Sequence, residues 1–137
     1  LSLHDALPIY LWYNPDPSTN GGNDGFDVGG FCEGSDCNSF AYINQVNSQN
    51  FCGGSDWRLP TKEEIRTLMD YSVASSIASP KPMIDSNFFP NAAIGLYWTA
   101  TPSTSNQQYA WAIHSHLGHD GVHFENSAFF IRLVRAD

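Results

Sequence analysis

In the first half of the chain, apolar residues recur at the spacing of one face of an α-helix. The pattern predicts a helix over 38–49, capped by Asn38 or Ser39 and ended by Gly53 and Gly54. The positions on its apolar face are Phe40, Ile43, Val46 and, more weakly, Asn47. This segment is therefore expected to pack on the core as an amphipathic helix.

A second helix is predicted to begin after Thr61. The Thr61 hydroxyl can accept a hydrogen bond from the amide three residues on, and the Glu64 carboxylate can reach back to the Thr61 amide. Together these bonds form a capping box. Glu63 and Glu64 also suit the positive end of the helix dipole. The apolar stripe that follows consists of Ile65, Leu68, Met69 and Tyr71 or Ser72.

The remaining apolar positions follow the period of two that is typical of β-strands. An aromatic strand is predicted over 10–14, before a loop over 15–30 that is rich in Pro, Ser, Asn, Asp and Gly. Antiparallel strands are predicted over 96–101, 109–116, 122–125 and 128–135. Two early helices and a β-rich C-terminal half predict an α+β domain.

Length and charge narrow the function classes only slightly. The 137 residues include 6 Lys or Arg and 14 Asp or Glu, for a net charge of −8. This length predicts one domain. The acidic balance argues against nucleic-acid binding through a positive field. No apolar run reaches the roughly 18 residues of a membrane-spanning helix, so no membrane insertion is predicted.

Residues 1–9, LSLHDALPI, match one reading frame of a widely used DNA sequencing adapter. We predict that this segment is an assembly artefact and that the domain, truncated at its N-terminus, occupies 10–137. A genuine N-terminal strand is the alternative. On the first interpretation, a signal peptide would not be visible. Sequencing the source gene tests this, because other codons are expected upstream of Tyr10.

Three cysteines leave one thiol without a partner. Their spacing matches no common zinc site. Cys32 and Cys37 close a small loop and are the preferred disulfide. Cys37 and Cys52 flank the first predicted helix, so a bridge between them needs a short or bent helix. A disulfide would indicate an oxidising, exported location.

Several strings together resemble the Lcl C-terminal domain family of bacterial proteins, a domain of unknown function. The most specific is Cys52-Gly53-Gly54-Ser55-Asp56-Trp57-Arg58-Leu59-Pro60-Thr61, followed by Glu64 and Leu68. The others are Trp12-Tyr13-Asn14-Pro15, Thr19-Asn20-Gly21-Gly22, Ile84-Asp85, Phe89-Pro90, Tyr97-Trp98-Thr99, Ala110-Trp111 and Arg132-Leu133-Val134-Arg135. They occur in the expected order from Tyr10 to the C-terminus.

The resemblance implies a C-type-lectin-like fold, with two helices packed on a small twisted antiparallel sheet, and a distant relation to the formylglycine-generating enzymes. It also implies a secreted or surface location and an adhesin-like binding role, and it carries no agreed catalytic site. Members proposed to bind sulfated polysaccharides would need a basic surface, whereas this chain is acidic.

The motif Asp56-Trp57-Arg58-Leu59-Pro60 has a structural interpretation of its own. Trp57 and Leu59 alternate with Arg58, so they can enter the core while Arg58 faces another layer. Arg58 is expected to pair with a carboxylate such as Asp56 or Asp85. We interpret the motif as mainly structural, and as shaping a site only secondarily.

Two polar clusters are candidates for metal binding. Oxygen ligands spaced as in a calcium loop occur at Asp16, Ser18, Asn20, Asp24 and Asp27, although no helices flank them. Calcium is therefore a possible cofactor. His114 and His116 share a strand face, and they would meet His123 and Glu125 if Phe124 lay opposite Ser115. The alternative is a polar hairpin that happens to be rich in histidine.

No G-x-S-x-G, H-E-x-x-H or catalytic-cysteine motif occurs, so enzyme activity is not predicted. The expected function is recognition of a carbohydrate or of a host or matrix protein. The candidate binding residues are Tyr97, Trp98, His114, His116 and His123. The alternative is a structural domain that assembles a larger surface protein as a homo-oligomer.

Overall fold

The computed structural model describes residues 6–32, 34–72, 83 and 93–136, with the backbone alone at 6–8. Within these residues the chain forms two α-helices and five strands, which confirms the predicted α+β class. The helices are α1 (Ser39–Ser48) and α2 (Lys62–Thr67), with a 3₁₀ turn at Phe51–Gly53 between them. The strands are β1 (Ala6–Tyr10), β2 (Leu96–Pro102), β3 (Tyr109–His114), β4 (Asp120–Phe124) and β5 (Phe129–Ile131).

The strands form one mixed sheet in the order β1-β5-β2-β3-β4. The expectation of a purely antiparallel sheet is wrong for one pair, because β2 and β5 run parallel. The hairpin partner β3 occupies one edge of β2, so the chain leaving β4 crosses to the other edge, where β5 enters between β1 and β2. The described helices are too short to include a span able to cross a membrane.

Two predicted strands are shorter or displaced. The strand predicted over 10–14 ends at Tyr10, and beyond it Leu11 and Tyr13 form only isolated bridges, to Asn38 and Gly25. The strand predicted over 128–135 ends at Ile131, after which Val134 bridges Arg58. In both places loops, and not neighbouring strands, supply the backbone partners.

The strand β1 overlaps the segment 1–9 that we attribute to an adapter, and it pairs with β5. That pairing does not test where the codons came from, so the artefact stays a prediction. From Tyr10 onward the chain is tied into the core by side chains. The Tyr10 hydroxyl donates to the Cys32 carbonyl over 2.7 Å, and its ring packs 4.9 Å from that of Tyr42.

The disulfide in the structure joins Cys32 and Cys37, whose Cα atoms lie 5.2 Å apart. This is the bridge that the small loop favours. Cys52 carries a free, exposed thiol.

Both predicted helices are present, but α1 presents a different face to the core. Ser39, Tyr42 and Val46 are buried, whereas Phe40 is 39% exposed, so its assignment to the core is wrong. Asn38 caps the helix by accepting from the Ala41 amide over 2.8 Å. The capping box of α2 is confirmed, and Ile65 and Met69 from its predicted stripe are buried.

Candidate functional site

An open cleft of about 500 Å³ lies between α1, the loop after Tyr13 and the chain entering α2. Its volume falls in the range of small-molecule sites. Its floor is apolar and consists of Trp12, Ile43, Leu59 and Ala100. The Trp12 indole N–H donates to the Thr99 carbonyl over 3.0 Å, which fixes the indole ring. The floor is thus preformed core surface.

One wall of the cleft is aromatic. Phe40 from α1 meets Tyr13 edge to face, with ring centroids 5.6 Å apart. Burial is the main cause that raises the Tyr13 pKa, and the negative charges of Asp27 and Asp24 add to it. The Phe40 ring remains 39% exposed. A ligand entering the cleft therefore meets an aromatic surface that is not used in the core.

The rim of the cleft also carries a bidentate ion pair. Arg58 Nη1 lies 2.7 Å from Glu64 Oε1, and Arg58 Nη2 lies 2.8 Å from Glu64 Oε2. Glu64 Oε1 also accepts from the Thr61 amide over 2.9 Å. The hydrogen bond from Arg58 is the largest cause that lowers the Glu64 pKa to about 2, followed by the Thr61 amide. The pair is ionised at neutral pH, and its two charges cancel.

Arg58 pairs with the Glu64 carboxylate and not with Asp56, the one of its two predicted partners that the structure describes. Asp56 lies instead 3.7 Å from Arg135 Nη1, and Asp85 lies outside the described residues. Trp57 and Leu59 are buried and Arg58 is exposed, as the alternation in the motif predicts. Glu64 reaches Arg58 from the first turn of α2, where the capping box already fixes its carboxylate. The structural motif thus also forms the rim of the cleft.

The loop wall consists of the segment in which calcium was considered. Asn20 is 2% exposed, and its amide nitrogen donates to the Asn14 carbonyl and to Asp24 Oδ1. Asp16 accepts from the amide and hydroxyl of Ser18, and these bonds lower its pKa. These side chains therefore close the loop on itself. Asp27 lies near Tyr13.

Across the part of the chain that the structure describes, no group of three or more His, Cys, Asp or Glu is placed to hold a metal ion. The predicted cluster of His114, His116 and His123 requires a strand register that the structure does not have. His123 lies opposite Ala110 and not opposite His116. β3 ends at His114 and β4 begins at Asp120, each two residues earlier than predicted, so the turn is displaced and Phe124 pairs with Tyr109. His123 instead packs on Phe129, with centroids 5.2 Å apart.

His114 and His116 do lie together, with ring centroids 4.0 Å apart. Burial is the main cause that lowers the His114 pKa, and His116, His119 and His123 add to it. The predicted fourth member, Glu125, follows β4 and is fully buried. The structure thus pairs two of the histidines and separates the rest of the predicted site.

Tyr97 and Trp98 are fully buried, so the prediction that they offer a sugar-binding surface is wrong. Trp98 Nε1 donates to the Tyr10 carbonyl over 3.0 Å. The aromatic residues of the cleft, the exposed Phe40 and the half-buried Tyr13, were not among the predicted binding residues. The sequence alone does not show which face of α1 is buried. Ser39, Tyr42 and Val46 fit the core spacing as well as Phe40, Ile43 and Val46 do.

The family model described as the Lcl C-terminal domain matches residues 12–135. The match includes every residue that lines the cleft. Neither the curated proteins nor the solved structures that were searched gave a match to this chain.

Proposed function

The chain belongs to the Lcl C-terminal domain family, and we propose that it is a non-catalytic binding module that recognises carbohydrate through this cleft. The observation that carries the proposal is that an exposed aromatic ring and a fixed ion pair line the same cleft. An extracellular or surface location, an adhesin-like role and a C-type-lectin-like relationship of the fold belong to the same proposal.

The chemistry of the cleft suits a sugar. A pyranose ring has a face of C–H groups, which stacks on an aromatic ring, and an edge of hydroxyls, which need donors and acceptors together. Phe40 and Tyr13 offer the aromatic contact. Arg58 and Glu64 offer N–H donors and carboxylate acceptors held at fixed positions. Apolar surface with a few placed polar groups is the usual composition of a ligand site.

The same pair supports a non-catalytic role. A general acid near neutral pH needs a pKa near neutrality, whereas the Glu64 pKa is held at about 2. Both Glu64 oxygens already accept from Arg58, which holds the carboxylate ionised and makes it a weak base. The carboxylate is thus placed to orient a ligand.

The second candidate is a structural domain that assembles a homo-oligomer. It is favoured by Val122 and Phe124, which are exposed on the edge strand β4. Edge strands with apolar side chains can pair with a second chain. Sedimentation equilibrium of the intact chain distinguishes this candidate, since a folded monomer argues against it.

We expect Phe40→Ala to weaken sugar binding about tenfold or more, because it removes the stacking surface of the cleft. The matched control is Phe51→Ala, since Phe51 is equally exposed at 40% but lies outside the cleft. A printed glycan array identifies the oligosaccharides that bind, and isothermal titration then compares both variants. Equal binding by Phe40→Ala and wild type would place the site elsewhere. A folded protein that binds no glycan contradicts the proposal.

A further inference from the structure

We infer that the cleft selects uncharged sugars and rejects sulfated and carboxylated ones; this deepens the proposed function and rests on it. The inference comes from how the charges around the cleft are already paired.

The only described cation that lines the cleft is Arg58, and both of its terminal nitrogens are engaged by Glu64. An anionic ligand binds best to a guanidinium whose fork is open. A bidentate contact between an anion and this fork would require Arg58 to leave Glu64, and the Glu64 carboxylate would then face the ligand without a partner. The closed pair therefore opposes an anion.

The other described cations each contact a residue that does not line the cleft. Lys62 Nζ lies 3.8 Å from the centroid of the Trp111 ring, and Arg66 pairs with Asp120. Arg132 is buried, with its guanidinium carbon 5.9 Å from the Tyr97 ring centroid. Arg135 lies over Trp57, with its guanidinium carbon 5.4 Å from the ring centroid. None of these cations lines the site.

Two carboxylates, those of Asp24 and Asp27, add negative charge near Tyr13 on the aromatic wall. Asp24 and Asp27 are near enough to Tyr13 to act on its hydroxyl. The whole chain carries a net charge of −8. An approaching sulfate or uronate therefore meets repulsion both at long range and at the wall.

A neutral hydroxyl meets no such cost. It both donates and accepts, and the Arg58–Glu64 pair presents donors and acceptors side by side on half-exposed side chains. A hydroxyl can join this pair without separating its charges. The chemical class that fits is a neutral oligosaccharide.

The test titrates the intact chain with two sets of probes. The neutral set is cellotetraose, maltotetraose, mannotetraose and chitotetraose, and the acidic set is tetragalacturonate and the tetrasaccharides of heparin and chondroitin sulfate. We expect binding to at least one neutral probe, little change with ionic strength, and acidic probes at least tenfold weaker. Phe40→Ala should weaken the neutral binding about tenfold or more.

A charge-matched pair of variants tests the cause. Glu64→Gln keeps the oxygen that accepts from both the Thr61 amide and Arg58 Nη1, but it removes the negative charge and the second acceptor that balance Arg58. Acidic probes should therefore gain about tenfold in affinity and become sensitive to salt. Glu63→Gln changes the net charge equally, but Glu63 is exposed and outside the cleft, so no such gain is expected. Thermal unfolding of each variant establishes that it is folded.

Three results would overturn the inference. If wild type binds acidic probes as tightly as neutral ones, and Phe40→Ala removes that binding, the selectivity is wrong while the proposed function stands. If Glu64→Gln gains no more than Glu63→Gln, the ion pair is not what excludes anions. If no probe of either set binds, the proposed function falls together with the inference.

Discussion

Replacing Glu125 by Gln is expected to raise the free energy of unfolding by about 3 kcal/mol near pH 8 and to change it little near pH 4. Glu125 is fully buried at the end of β4. Its backbone is well bonded, with the amide donating to the Gln108 carbonyl and the carbonyl accepting from the Trp12 amide. Its carboxylate oxygens find no hydrogen-bond partner among the described residues.

Because the Glu125 carboxylate is buried and has no hydrogen-bond partner among the described residues, its ionisation destabilises the folded state. Burial raises the pKa of Glu125 from 4.5 to about 7, because the ionised form loses its hydration. The unfolded chain releases the proton near pH 4.5, whereas the folded chain holds it to about pH 7. The contribution of Glu125 to wild-type stability is therefore most favourable below the lower value, falls between the two, and is constant above the higher one. The glutamine amide stays neutral throughout and removes this slope.

Urea unfolding at a series of pH values measures the prediction. Glu63→Gln is the control, because it removes the same charge from an exposed position in the first turn of α2. The difference between the Glu125→Gln and wild-type curves should grow between pH 4.5 and about 7 and then stay constant. A variant that is less stable than wild type at every pH would show that the carboxylate has a partner in solution.

The features that the sequence predicts well depend on neighbours in the chain. The capping box at Thr61 and Glu64, the cap at Asn38 and the alternation of Trp57 with Leu59 each involve residues within a few positions. Local geometry limits these patterns to one arrangement. The small loop between Cys32 and Cys37 belongs to the same class.

The features that the sequence does not predict depend on pairing between distant segments. A period of two gives the face of a strand but not its partner, so the parallel pair β2–β5 has no signal in either strand. The histidine site depended on the register of one hairpin, and a different turn moved His123 opposite Ala110. The same limit applies to Glu125, since its burial comes from elements that pack around the end of β4.

The cleft combines both kinds of feature. Its rim follows from the local motif that ends at Glu64, but the exposure of Phe40 depends on which face of α1 meets Tyr10. The loop over 15–30 is ambiguous in sequence for a third reason. Oxygen side chains spaced for a cation are also suited to bonding their own backbone in turns, and composition does not distinguish these uses.

The substitution Asn20→Asp distinguishes a loop that binds a cation from a loop that is held by its own hydrogen bonds. We expect it to lower the free energy of unfolding by about 3 kcal/mol. Asn20 Nδ2 donates to the Asn14 carbonyl over 3.1 Å and to Asp24 Oδ1 over 2.7 Å, while its Oδ1 accepts from the Gly22 amide over 2.9 Å. Aspartate keeps the acceptor but loses both donors. It also places a second carboxylate beside Asp24, where like charges repel.

Asn23→Asp is the matched control, because it makes the same charge change in the same loop. Asn23 Oδ1 accepts from the Gly25 amide over 2.8 Å, a role that an aspartate oxygen retains. We expect Asn23→Asp to stay within about 0.5 kcal/mol of wild type. Since Asn14 and Thr19 line the cleft, Asn20→Asp should also weaken sugar binding, whereas Asn23→Asp should not.

Repeating the unfolding with added calcium determines which use of the loop is correct. A calcium ligand changed from amide to carboxylate would bind the ion at least as well, so calcium would restore the stability of Asn20→Asp. A residue that holds the loop together by donating hydrogen bonds cannot be rescued in this way, because the ion supplies no donor to the Asn14 carbonyl. We therefore expect the loss to remain in calcium, and recovery of wild-type stability would mean that the loop is a cation site.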